Sequence, residues 1–360
     1  MKKLIIKVIG VLVLICFLIY LFYSPRLKFD VLENPNKNTT KTTQTTQTQD
    51  FDKSKNTAEN PMPKDGVGTW VGQSLSKLTE KYGQADRVYP YKDNYKNYVF
   101  KEKEAYYLVT TKDGIIKSVY ATGKKANVAP LHITNNAAHV FEKFSVNPEP
   151  TITSNGKKYE LELSDTDMKT QSLVKFKNMY AQIYIDQQSN HIVAVRFLDS
   201  DALSEFKPYQ MVTSKEEKEV KSKHGNAPYA QSSNQLMTLY EITNEMRKLK
   251  NTQPLKINNK LAHIASFNLY EATGQDDSAE FTEDALRDQL NAQEVPFTYS
   301  SQNVGYDFND IPTLIHSWLN SDTHRSRMLN AKYNEMGGEV MEGYYTLIFV
   351  GEKKKGDDQE

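Results

Sequence analysis

Trp318-Leu319-Asn320-Ser321-Asp322-Thr323-His324-Arg325-Ser326-Arg327-Met328-Leu329-Asn330 is the stretch on which the reading of this 360-residue chain turns. Just upstream, Asp310-Ile311-Pro312 opens a helix, with proline in the first turn where its missing N–H costs nothing. Leu314, Ile315, Trp318 and Leu319 recur at helical spacing and form one apolar face, so Trp318 is expected in the core. His316 falls off that face and is expected in solvent, and Arg325 reads as a surface or capping cation. Downstream, residues 335–341 and 344–350 read as two strands joined across Glu342-Gly343.

Three more helices precede this stretch. Ser233 or Asn234 can cap one that carries Leu236, Leu239, Tyr240, Thr243 and Met246. Asn258 or Asn259 can cap a second with Leu261, Ile264, Ala265, Asn268 and Ala272. Thr282 starts a third, where the helix dipole favours Glu283 and Asp284 in the first turn. Helices around an antiparallel sheet make residues 235–352 an α+β layered domain, followed by a polar tail at 353–360.

Residues 207–234 are polar, with the run Lys215-Glu216-Glu217-Lys218-Glu219, and read as a linker. Before it, residues 66–206 form a separate α+β domain with β-hairpins. Ser74 caps a short helix that ends at Gly83, with Leu75, Leu78 and Tyr82 on one face. Asp113-Gly114 between two β-rich runs marks a hairpin. Residues 179–185 and 192–197 repeat the pattern loosely, which suggests a duplicated unit. This region has no recognisable metal-ligand spacing, and its tyrosines read as core and cross-strand partners.

The first 30 residues read as a signal anchor and transmembrane helix. Residues 4–23 are almost wholly apolar, about 20 residues being what a bilayer requires. Ser24-Pro25-Arg26 offers no small-x-small cleavage site, and Ile15 stands where a lipoprotein would place a small residue before Cys16. Lys2, Lys3 and Lys7 outweigh Arg26 and Lys28 and put the bulk of the chain outside the cell membrane, which is crossed once. Residues 31–65, rich in Thr, Gln and Asn, read as a disordered stalk holding the folded part away from the membrane.

Composition narrows the function. Lys+Arg and Asp+Glu both number 45, and this balance argues against a nucleic-acid partner. The single cysteine, Cys16, lies in the apolar run, which leaves the rest of the chain without a disulfide or thiolate chemistry.

Asn244-x-x-Arg247, Pro254-Leu255, Leu261-Ala262 with Ala265, Gln302-Asn303-Val304, the Trp318 to Asn330 stretch, Gly337-Gly338 and Tyr344-Tyr345-Thr346 stand in an order that resembles bacterial CAP (SCP/PR-1-like) domains. Gly72-x-Ser74-x-x-x-Leu78 and Ile116-x-x-Val119-Tyr120-Ala121-Thr122-Gly123 resemble the CAP-associated N-terminal domain that precedes some of them. The resemblance implies an α-β-α sandwich whose cleft often carries two histidines and two acidic residues, able in some members to hold a divalent metal. One of the four matches here, at His324. Gln302 stands in the place of a glutamate, Ser321 in the place of an acid, and ATGQDDSAEF supplies no first histidine. A neutral amide at Gln302 cannot act as a general base, and zinc asks for three or four ligands. No cofactor is therefore expected; a divalent metal would need Asp276 or Asp277 to substitute. The implied cleft residues are Gln302, Asn303, Ser321 and His324, with no residue assigned as catalytic. The expectation is a non-catalytic binding or scaffolding module at the cell envelope, taking a cell-wall, lipid or protein ligand. A hydrolase or protease with a non-standard site is the alternative, and a purely structural module is a third.

Overall fold

The computed structural model describes residues 13–15, 27–36, 60–92, 94–212, 229–274, 281–341 and 343–352. Strand β1 (Val31–Glu33) comes first. A 3-10 turn over Val67–Trp70 leads into α1 (Leu75–Tyr82), β2 (Arg87–Tyr91), β3 (Tyr95–Glu102), β4 (Ala105–Lys112) and β5 (Ile115–Thr122). Then come α2 (Ala138–Lys143), β6 (Thr151–Ser154), β7 (Lys157–Glu162), α3 (Asp165–Thr170), β8 (Gln171–Phe176), β9 (Met179–Asp186), β10 (His191–Asp199), α4 (Ser200–Phe206) and β11 (Gln210–Val212). The C-terminal part consists of α5 (Tyr229–Leu249), β12 (Lys256–Ile257), α6 (Asn259–Gly274), α7 (Glu283–Ala292), β13 (Tyr299–Tyr306), α8 (Ile311–Leu319), α9 (Asp322–Met328), β14 (Glu335–Met341) and β15 (Tyr344–Gly351).

Local chemistry sets many of these bounds. The Ser74 hydroxyl accepts the Ser76 N–H at the start of α1, Thr282 accepts from Ala285 at α7, and Asp310 accepts from Thr313 at α8. Each satisfies an otherwise orphaned helix N–H. Asp113 and Gly114 both take positive φ, 52° and 76°, as a two-residue hairpin of that twist requires. Asn155 and Gly156 do the same between β6 and β7, at 49° and 75°, in a hairpin that the sequence reading passed over. Helix α5 begins at Tyr229, earlier than Ser233 or Asn234, and β11 lies inside the expected linker, where it pairs with β7.

The upstream domain is built on a seven-stranded antiparallel sheet in the order β2-β3-β4-β5-β10-β9-β8. Its two similar stretches lie in a four-stranded meander, β2 to β5, and a three-stranded one, β8 to β10, which meet at the β5–β10 pair, where Arg196 stands opposite Tyr120. Alternate residues face alternate sides. Tyr107, Val109, Val119, Ala121, Val195 and Phe197 pack under the domain's own helices and loops. Tyr106, Leu108, Tyr120, Tyr184 and Ala194 pack into one apolar cluster with Leu239, Ile315, Trp318 and Met328 of the C-terminal domain. The sheet is thus covered on both faces, which is why its strands read as near-continuous apolar runs. The two domains are packed together, not merely tethered.

The C-terminal sheet has the order β1-β13-β15-β14-β12. Helix α6 lies so close on β14 that a Cβ at Gly337 would fall 2.5 Å from the Leu261 Cβ and from the Ala262 nitrogen, so Gly337 is required by helix–sheet contact. Arg247, fully buried, ties the C-terminal turns together: its guanidinium donates to the carbonyls of Gln253, Met328, Asn330 and Tyr333.

Residues 31–36, expected in a disordered stalk, are ordered, and β1 pairs in parallel with β13, Val31 opposite Val304 and Glu33 opposite Tyr306. The physical reason is a sheet edge: β13 would otherwise present unpaired N–H and C=O groups. Among the described residues no helix is long and apolar enough to cross a membrane. Most of the expected span at residues 4–23, and the bulk of the expected stalk, lie outside the described residues.

Candidate functional site

Helix α9 carries His324 inward, 2% exposed. Its ring lies parallel to the Trp318 ring, centroids 6.3 Å apart. Nε2 is 3.1 Å from the main-chain carbonyl of Asp30, and Nδ1 is 2.9 Å from the Ser321 hydroxyl. A carbonyl can only accept, so Nε2 carries the proton and Nδ1 accepts the Ser321 O–H. Burial lowers the imidazole pKa from its ordinary value, more than the Asp30 carbonyl raises it. The ring is therefore neutral at pH 7, held between two neutral groups.

Asn303, fully buried on β13, donates Nδ2–H to the His324 carbonyl, and its Oδ1 has no hydrogen-bond partner among the described residues. Gln302 goes elsewhere. Its Nε2 donates to Thr346 Oγ1, and neighbouring strand residues point to opposite faces, so its amide lies on the far side of the sheet from that of Asn303. The structure thus brings Asn303, Ser321 and His324 together and leaves the Gln302 side chain apart. Only the Gln302 main chain reaches this edge, its carbonyl accepting from Arg327.

Residues 27–36 lie along this edge as a strap. Phe29 N donates to the Phe281 carbonyl at 2.6 Å, and Glu283 N donates to the Leu27 carbonyl at 3.0 Å. The Phe29 ring is buried among Leu286, Val304 and Ile348, and the Arg327 guanidinium lies 4.9 Å over it. Asn34 Nδ2 donates to the Asp307 carbonyl. Asn36 Nδ2 donates both to Asp167 of the upstream domain and to the Pro208 carbonyl. The acid that approaches His324 is thus Asp30, and it binds through its main chain. Asp276 and Asp277, the expected substitutes, lie outside the described residues. The donors fit a metal poorly, since His324 has both nitrogens engaged and its neighbours are an amide and a hydroxyl. Among the described residues no group of three or more His, Cys, Asp or Glu is placed to hold one.

His316 corrects the expectation of a solvated residue. It is 3% exposed, stacks on Tyr184 at 4.1 Å and meets the Tyr120 hydroxyl at 2.9 Å. Arg325 is no surface cation, but it does cap, donating to the Leu319 carbonyl at the end of α8. It forks onto Asp186 at 2.7 and 3.0 Å, and Lys250 joins the same carboxylate. Arg196 pairs with Asp310 across the same seam. The upstream tyrosines, expected as core, also reach across it: Tyr89 to Thr238, Tyr106 to Glu241, Tyr91 to the Asn309 carbonyl.

A seven-stranded tyrosine-rich sheet seated on an α-β-α sandwich defines a two-domain class. The CAP-associated N-terminal profile matches residues 71–209, and the cysteine-rich secretory protein family profile matches residues 240–352. The chain belongs to the cysteine-rich secretory protein, or CAP, family. It is similar to a cysteine-rich secretory protein of Staphylococcus aureus subsp. aureus Mu50, whose crystal structure is 56% identical with a TM-score of 0.80 over 91% of this chain and 100% of that one. An extracellular SCP-domain protein of Bacillus anthracis str. Ames has the same fold, at 23% identity and a TM-score of 0.70 over 86% of this chain and all of that one. The uncharacterized membrane protein YlbC of Bacillus subtilis (strain 168) is 25% identical over 307 residues, 80% of this chain and 84% of its own.

Proposed function

We propose that this is a membrane-anchored, extracytoplasmic binding or scaffolding module of the bacterial cell envelope. The single observation that carries the reading is the state of His324: buried, neutral, and hydrogen-bonded to a hydroxyl and a main-chain carbonyl. Such a cleft recognises by shape and neutral hydrogen bonds, and the Asn303 Oδ1, without a partner among the described residues, offers it an acceptor. The apolar run at residues 4–23 and the likeness to a membrane protein support anchoring through the N-terminal segment. Cell-wall, lipid and protein ligands all fit this description.

One contact favours the hydrolase reading. Ser321 Oγ and His324 Nδ1 stand 2.9 Å apart, the spacing of a nucleophile and its base. The third member is the weak point, because Asp30 supplies a carbonyl in place of a carboxylate. A fluorophosphonate probe separates the two readings. The binding reading expects no covalent label at Ser321 and no peptidase or esterase turnover. Labelling of Ser321, lost together with turnover in His324→Ala, would establish the enzyme instead.

A further inference from the structure

The edge of β13 holds a stretch of polypeptide that is not part of the continuous C-terminal domain, and the way it holds it is that of a peptide-binding groove. Within residues 27–36, residues 31–33 pair main chain to main chain with β13, and residues 27–29 do so with residues 281–283. They send one aromatic side chain, Phe29, into a pocket roofed by the Arg327 guanidinium, with Val31 on the same face. A main-chain carbonyl is offered to His324, and Asn34 anchors the far end on the Asp307 carbonyl. Backbone pairing at an exposed edge, with pockets for alternate side chains, is how sheets capture extended peptides.

We infer that this groove is a peptide-recognition site whose resident occupant is the chain's own strap, and that its partner in trans is an extended polypeptide segment of the same chemistry. That segment carries an aromatic residue, a β-branched residue two positions on, and an asparagine three further. The inference rests on the reading of the cleft as a binding site and names its ligand class. Exchange is physically reasonable because the strap is short. A three-residue parallel pair at a sheet edge is at the low end of local stability, and the rest of its hold is a handful of contacts: Phe29, the two asparagines, and the main-chain bonds of residues 27–29 to residues 281–283. Pro35 is exposed, so a partner is free to differ there. When the strap is in place, the His324 N–H and the β13 edge are both occupied, and the site is closed to others.

The test uses the full-length chain in detergent, tagged at its N-terminus, with a site-specific protease sequence placed within residues 37–59. After cutting, residues 60–360 are joined to the tag only through the docked strap. The expected result is that they stay on the affinity resin. A synthetic peptide of residues 27–36, in roughly hundredfold molar excess, then releases most of them by mass action. The same peptide with Phe29→Asp releases them at least about tenfold less well, given the size of a buried phenylalanine's contribution. Loss of residues 60–360 on cutting alone would overturn the groove. Full retention after prolonged incubation with the native peptide would overturn its exchange, as would equal release by both peptides. The peptides vary while the protein does not, so misfolding of a variant cannot mimic either outcome. A turnover or probe-labelling result bears on the binding reading and leaves these outcomes distinguishable from it.

Discussion

His316 and His324 sit eight residues apart on consecutive helices, both buried, and they serve opposite sides of the C-terminal domain. His316 faces the neighbouring domain. It stacks on Tyr184, and the charges Arg196 and Asp186 act on it. His324 faces the strap and has neutral hydrogen-bond partners on both nitrogens. Family-level matching picked out the second and passed over the first. The difference teaches that the motif histidine is held by neutral hydrogen-bond partners, while the histidine at the domain seam sits among the ion pairs that join the two domains.

The largest expected effect breaks the charged side. The Asp186 side chain is fully buried and shared by Arg325 and Lys250. Burial pushes its carboxyl up, but the hydrogen bonds from Arg325, Lys250 and Ser189 win and hold it at about 2. Asp186→Ala should cost about 3–5 kcal/mol, because it strands two cations at a buried seam. Urea denaturation should then show two transitions where the parent shows one.

Phe29→Ala tests the neutral side and should weaken strap docking by about 3 kcal/mol. Hydrogen exchange at β1 and at the edge of β13 should accelerate, with the seam unchanged. Equal acceleration at both places would mean that the two regions are not independent.

Acid should strike the seam next. Burial, then Arg196, pull His316 down to about 3, against a small upward pull from Asp186. The unfolded chain therefore takes up a proton near pH 6.5 that the folded chain refuses. Stability is fully present above pH 6.5 and falls as pH drops toward 3, by about 2 kcal/mol between pH 7 and pH 5. Denaturation of the parent and of His316→Gln at the two pH values checks this, and the variant should lose most of the difference. His324, also lowered, adds to the slope with the same sign.

Ser321→Ala is the smallest expected change, about 1 kcal/mol for one lost hydrogen bond. It removes the donor to Nδ1 that favours the neutral ring, so the His324 pKa should rise toward its ordinary value. An NMR titration of the His324 ring would read this directly.

Much of the fold was legible because its signals are local. Asp113-Gly114 can take the two positive φ angles its turn needs, and Pro312 and Thr282 mark helix starts where they stand. Trp318 was placed in the core by helical spacing alone. The same logic misplaced His316, because helix periodicity speaks of one partner. Helix α8 is buried on nearly every side, the domain's own core covering one face and the tyrosine sheet the other. The site was legible only where its residues share a motif, as Ser321 and His324 do. Gln302 and Asn303 are neighbours in sequence but point to opposite faces of a strand. The strap was illegible for a different reason. Three paired residues carry no usable period, and their partner lies far along the chain, Asn34 reaching Asp307 across 273 positions.

The parallel pairing of β1 with β13 also fixes an order of events. A chain that leaves the ribosome or a translocon N-terminus first delivers residues 27–36 long before residues 299–306 exist. The upstream domain, coming between them, can complete its own sheet while the strap waits. The sandwich closes last, joining β1 to β13 around a domain already formed, and any chain stopped short of β13 carries a strap with nowhere to go.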